Sequence, residues 1–214
     1  MPFYHVKDAY MELAPEAISP ASMYKLLVGS VVPRPIGWIS TISKDGTHNL
    51  APFSFFNVAS SNPPHVLFCP TLRGTDGGRK DTLHNVRDNG EFVVNIVTAQ
   101  LAEAMNITAT EFLPHIDEFE LAGITSAPSV VVRPLRVAES PIHFECQVAH
   151  IVDLGDGHVV IGRVVHVHVD ERVLIGTDKI DVNALQPIGK LAGNAYTRVT
   201  DLFDLVRPPS QLGK

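Results

Sequence analysis

Two long β-prone runs, Ile142 to Leu154 and His158 to Val169, stand on either side of Gly155-Asp156-Gly157. The glycines tolerate the positive φ that a tight antiparallel turn demands. A chain that commits so much of its length to one ribbon has to pair it further and cover a face of it, because an isolated two-stranded ribbon is only marginally stable. The same grammar appears earlier. Ile36-Gly37-Trp38-Ile39-Ser40-Thr41-Ile42 is β-branched and aromatic, Lys44-Asp45-Gly46 marks a turn, and His48 to Phe53 reads as the returning strand. Further strands are expected at Val66-Leu67-Phe68-Cys69, after the breaker Asn62-Pro63-Pro64, and at Glu91 to Val97.

Helices are fewer. Ser19 caps a helix to about Val28, with Pro20 at its first position and Met23, Leu26 and Leu27 as its apolar stripe. A second runs from Asp81 to Asp88, with Gly90 as its stop. Ala99 to Pro128 reads as helix and loop. The tail from Leu185 to Lys214, with Pro187, Gly189, Gly193, Pro208 and Pro209, reads as largely irregular. Strands outnumber helices and do not alternate with them, which excludes a doubly wound parallel sheet. The expected class is mainly β, an antiparallel β-barrel with α additions. At 214 residues and 45% apolar, with no linker or repeat, one domain over residues 1–214 is expected, large enough to fold without disulfide or metal staples.

Charge and cysteine usage narrow the function. The formal net charge is −6 and no basic run occurs, so a nucleic-acid partner is excluded and an anionic membrane surface is disfavoured. Cys69 and Cys146 form no CxxC motif and read as small buried side chains in apolar strands. Met1 to Asp8 lacks a leader pattern and no stretch has the apolar length of a membrane span, so a soluble, cytoplasmic protein is expected.

Gly74-Thr75-Asp76-Gly77-Gly78-Arg79-Lys80-Asp81-Thr82 superficially resembles a phosphate-binding loop, but Arg79 stands where that motif needs Gly and Asp81 where it needs Ser or Thr. The segment still brings glycines, two cations and a hydroxyl to a helix start, where free N–H groups suit a phosphomonoester. It reads equally well as an exposed turn with solvated charges. His166 and His168, two apart on one strand, with His150 and His158 nearby, could hold a metal; an outward polar face alternating with inward valines is the favoured reading. No G-x-S-x-G elbow and no His-paired cysteine occurs, so a covalent hydrolase is excluded. In Asn49-Leu50-Ala51-Pro52-Phe53-Ser54-Phe55-Phe56-Asn57, a proline interrupts a strand of small and hydroxyl residues among aromatics. Such a surface suits a flat heteroaromatic ligand, with its edge on backbone amides and its face on Phe or Trp, or else it is a core hairpin.

Taken in order, Pro33-Arg34-Pro35-Ile36, Ser40-Thr41, Asp45-Gly46, Asn49 to Ser54, Asn62-Pro63-Pro64, Lys80-Asp81-Thr82, Asn85, Gly90-Glu91-Phe92-Val93-Val94-Asn95 and Gly162-Arg163-Val164-Val165 resemble the flavin reductase-like proteins of the FMN-binding split-barrel fold. The resemblance covers about residues 24–174, and a C-terminal extension of about 185–214, with Gly193-Asn194-Ala195-Tyr196 and Leu205-Val206-Arg207-Pro208, is similar to the family's longer members. It implies an antiparallel Greek-key split barrel, a homodimer holding FMN near the subunit interface. It also implies an NAD(P)H:flavin oxidoreductase that passes hydride to flavin N5 and electrons on to free flavin, ferric iron or a partner oxygenase. The cofactor-binding residues implied are Trp38, Ser40, Thr41, Asn49, Ala51, Pro52, Phe53, Ser54 and Phe55 along the ring and ribityl chain, and Arg79, Lys80, Asp81 and Thr82 at the phosphate. No catalytic side chain is expected, because the flavin carries the redox chemistry. The alternatives are a non-catalytic, flavoredoxin-like electron-transfer protein and a metal-dependent β-barrel enzyme using His166 and His168.

Overall fold

The computed structural model describes residues 10–212, so the segment Met1 to Asp8 lies outside the described residues. Helix α1 (Pro20–Ser30) begins where the Ser19 hydroxyl accepts the Ser22 N–H at 3.1 Å, with Pro20 in the first turn. Its orientation corrects the expected stripe: of its residues only Val28 is buried, while Leu26 and Leu27 are 47% and 56% exposed. Strands β1 (Gly37–Ile42) and β2 (His48–Phe53) form the anticipated hairpin. Then come β3 (Phe56–Ser61), unanticipated as a strand, and β4 (Pro64–Phe68), which starts and stops slightly before the expected run. Helix α2 (Asp81–Asn89) ends on Gly90 at φ 69°, a left-handed position that glycine fills without steric cost. It leads straight into β5 (Glu91–Ile96).

The middle holds α3 (Ala102–Ile107), α4 (Glu118–Leu121) and two short paired strands, β6 (Ser126–Ala127) and β7 (Arg136–Val137). The long ribbon is β8 (Ile142–Leu154) and β9 (Gly157–Val169), with Gly155 and Asp156 as its turn, so Gly157 belongs to the returning strand. Strands β10 (Leu174–Ile175) and β11 (Lys179–Ile180) pair, α5 (Val182–Leu185) follows, and β12 (Ile188–Lys190) pairs with β13 (Tyr196–Arg198). The described part of the tail is largely irregular, as expected, apart from one short hairpin.

Seven strands make one antiparallel sheet in the order β2-β1-β5-β8-β9-β4-β3. Its two edges, β2 and β3, are joined through Ser54 and Phe55 yet share no ladder, so the curled sheet stays open along this seam. Pro52 lies on the edge strand, where its missing N–H interrupts no inner ladder. Ile39, Phe53, Phe68, Phe92, Val94 and Cys146 fill the concave core with Leu83 and Val86 of α2, while Cys69 is half-buried beyond β4. At Gly162 a Cβ would meet the Phe92 ring at 2.2 Å, so only glycine lets that ring occupy the centre. A second core on the other face of β1 packs Trp38, Leu50, Met105, Phe119, Val137 and Ile188. Strand β1 is therefore sealed on both sides.

Candidate functional site

At the start of α2, a buried polar network ties the helix to the first hairpin. Asn49 Oδ1 accepts the Thr41 hydroxyl at 3.1 Å and the Thr82 hydroxyl at 2.7 Å, and Asn85 donates to Thr41 at 3.0 Å. Asn49 Nδ2 and the Leu50 N–H both donate to Glu118 of α4, at 2.7 and 3.2 Å. Burial pushes the Glu118 carboxyl up to about 7 against those two donors. Above the network lies a cavity of about 40 Å³, and Asn49, Ala51, Pro52, Lys80, Asp81 and Thr82 line it. These are six of the residues expected at a flavin.

The charges around it are unevenly paired. Arg73 Nη2 lies 2.9 Å from Asp76 and its Nη1 3.9 Å from Asp81. Glu111 closes the loop by accepting the Gly74 N–H at 2.9 Å and the Thr75 hydroxyl at 2.6 Å, and these bonds hold its carboxyl below the usual range. Lys80 has no ion-pair partner among the described residues, and its Nζ stands 6.0 Å from the Phe53 ring. It caps α2 without a side-chain hydrogen bond, leaving the first N–H groups of that helix open. A free ammonium beside free helix N–H groups and a hydroxyl fits a phosphate. Arg79 is exposed and does not line the cavity.

The remaining expected residues lie elsewhere. Trp38 is fully buried in the second core and its Nε1 donates to Thr108 at 2.9 Å, so it presents no stacking face. Ser40 is buried as well, donating to the Leu135 carbonyl at 2.5 Å. Phe53 is a core ring. Ser54 and Phe55 sit at the seam beside Arg34, whose Nε donates to Ser54 Oγ at 3.3 Å and whose guanidinium lies 6.0 Å from the Phe55 ring. Arg73, Glu111, Glu118 and the Thr108 to Phe112 segment complete the cavity and were not anticipated. Arg73 shares the glycine-rich loop and could have been found there; no local signal links Glu118 to Asn49.

His166 and His168 do share a face, and they share it with Glu145, all three within 4.8 Å of one another. Glu145 is fully buried and accepts the N–H groups of Val130, Val131 and Val132 at 2.7, 2.6 and 3.1 Å, as well as His168 at 2.6 Å. Burial alone would raise its pKa, but these bonds prevail and hold it at about 2. The carboxylate anchors the loop that covers β8.

The flavin reductase like domain matches residues 28–178, well over half of the chain. The chain belongs to the flavin reductase-like family. Nitrilotriacetate monooxygenase component B from Bacillus cereus is similar at 35% identity, 92% of this chain, 100% of that one and a TM-score of 0.88. Pseudomonas fluorescens 2-nitrobenzoate 2-nitroreductase NbaA is similar at 31%, over 94% and 100% of the two chains, with a TM-score of 0.83. A Shewanella frigidimarina protein with a split barrel domain shares the fold at 20% identity, 93% and 100% coverage and a TM-score of 0.79. The open seam between β2 and β3 belongs to a split barrel of the flavin reductase-like kind.

Proposed function

We propose that this flavin reductase-like chain binds FMN with its phosphate at the Lys80 corner and works as an NAD(P)H-dependent reductase. The observation that carries this is the unpaired Lys80 at the open N-terminus of α2, set beside Thr82 in a cavity walled by Ala51 and Pro52. A cavity of about 40 Å³ is too small for a whole flavin, so the ribityl chain and ring would extend over the edge of β2 towards Ser54 and Phe55. Flavin, when bound, supplies a ring that accepts hydride. The protein's part is to hold the phosphate through Lys80 and Thr82, to fix Asn49 through Glu118 and Thr41, and to keep the ring edge against backbone. No side chain is assigned as a proton-transfer catalyst.

Residues 1–214 would then form one flavin-binding unit, soluble and cytoplasmic; no described helix is long and apolar enough to cross a membrane. A homodimer is proposed from the apolar surface left open: Tyr24 and Leu27 on α1, and Phe203, Leu205 and Val206 in the tail, are 56–95% exposed. The similarity to a monooxygenase component favours an electron-accepting protein partner. Adding NADH or NADPH anaerobically to the FMN-loaded protein tests the reading. Rapid bleaching of the flavin band is expected. Bound flavin that neither nucleotide reduces would make the chain a flavoredoxin-like carrier instead.

A further inference from the structure

A second cavity lies outside this site. It measures about 580 Å³ and opens between α3 and the β12–β13 hairpin. That volume suits a small organic ligand, which usually takes about 300–1,000 Å³. Its walls combine an apolar floor of Ala102 and Ile188 with two cations, Lys190 and Arg198, against one carboxylate, Glu103. Lys190 is fixed in place: its Nζ donates to the Gly193 carbonyl and lies 4.1 Å from the Tyr196 ring. Only the backbone of Arg198 is engaged, by Ile188 and the Thr197 hydroxyl; its guanidinium has no hydrogen-bond or ion-pair partner among the described residues. A guanidinium with its donors open, at the mouth of a cavity with an excess of positive charge, is arranged to receive an oxyanion.

Arg34 exchanges backbone hydrogen bonds with Lys190 at 2.9 and 2.8 Å and reaches Leu191 O with Nη2 at 3.0 Å, while its Nε donates to Ser54. On the opposite side, α3 sets Asn106 in this cavity, and Thr108 just beyond the helix lines the Lys80 corner. Through Arg34, Lys190 in the cavity wall is thus tied to the seam along which the flavin ring would extend. We propose that it binds the anionic head group, a carboxylate or a phosphate, of a second small-molecule substrate that exchanges electrons with the flavin. This deepens the flavin reading and rests on it.

Calorimetric titration of the FMN-saturated protein with benzoate and, separately, with NADP⁺ tests the proposal. Binding of at least one probe is expected, at about one per chain, with FMN retained. Benzoate alone would mark a carboxylate ligand and NADP⁺ alone a phosphorylated one. Arg198→Gln is expected to weaken binding about tenfold or more, because one charge-assisted contact is lost, while Arg198→Lys recovers most of it and neither changes FMN affinity beyond about twofold. Failure of both probes to bind, unchanged affinity in Arg198→Gln, or displacement of FMN by the probe would each overturn the assignment. A chain that takes up no FMN defeats the flavin reading, and the response of probe binding to Arg198→Gln in that same sample still decides for or against the cavity.

Discussion

Glu118 and Glu145 are both buried carboxylates, yet their environments push them in opposite directions, to about 7 and about 2. Glu145, on the outer face of β8, receives three backbone N–H groups and His168. Glu118, beside the Lys80 corner, receives the Asn49 amide and the Leu50 N–H, too little to offset its burial, with the Asp81 charge nearby. A carboxylate whose oxygens are saturated by fixed donors holds a structure together. One that is under-supplied stays poised near neutrality, and such groups cluster at working sites.

Deleting the saturated carboxylate should have the larger effect. Glu145→Ala should destabilise the fold by about 3–5 kcal/mol in urea denaturation, since it strands the buried Val132 N–H, frees the part-buried Val130 and Val131 N–H groups and removes the partner of His168. A loss below about 1 kcal/mol would mean that the loop over β8 is held by something else.

Titration separates the pair next. Glu145 is depressed from 4.5, so its stabilisation is present above about pH 4.5 and is lost as pH falls towards 2. Glu118 is raised from 4.5, so the stability tied to its protonated form is present below about pH 4.5 and is lost as pH rises through 7. Each shift corresponds to about 3 kcal/mol at about 1.4 kcal/mol per unit. Denaturation midpoints measured from pH 3 to 8 should therefore peak near pH 4.5–5 for this pair's share. Glu118→Gln should flatten the alkaline side and Glu145→Gln the acid side; if the alkaline slope survived Glu118→Gln, Glu118 would be an ordinary carboxylate.

The smallest effect is expected at the histidines. Replacing His166 and His168 by Gln removes a bond to Glu145 and should lower stability by about 1–2 kcal/mol. NADH-driven bleaching of bound flavin should nevertheless stay within about tenfold, under about 1.4 kcal/mol in the barrier. Abolished bleaching in a folded double variant would move the chemistry to the Glu145 face and revive the metal reading.

The fold was legible wherever turn chemistry and apolar runs agreed. Asp45-Gly46 and Gly155-Asp156 placed both hairpins, and Gly90 placed the end of α2. Strand β3 was hidden because Asn57, Ser60 and Ser61 break its apolar pattern at the edge of the sheet. The β12–β13 hairpin was hidden by its glycines. Apolar residues alone do not say which way α1 faces, since an exposed apolar face looks the same in sequence as a core stripe. At the site, the local cluster Lys80-Asp81-Thr82 and the Asn49 to Pro52 strand could be read directly, and the structure brings them together. One aromatic in a strand can turn either way, so the sequence allows Trp38 a ligand face; packing against α3 turns it inward. Glu118 could not be read at all, standing 69 positions from Asn49.

The proposal that the Lys80 corner holds a flavin phosphate is decided by fluorescence titration of the wild type and Lys80→Ala with FMN and with riboflavin. One charge-assisted contact, about 1.5–3 kcal/mol, predicts that FMN binds about ten- to a hundredfold tighter than riboflavin and that Lys80→Ala erases most of the difference. Equal affinity of the wild type for FMN and riboflavin, or an undiminished preference in Lys80→Ala, would contradict it.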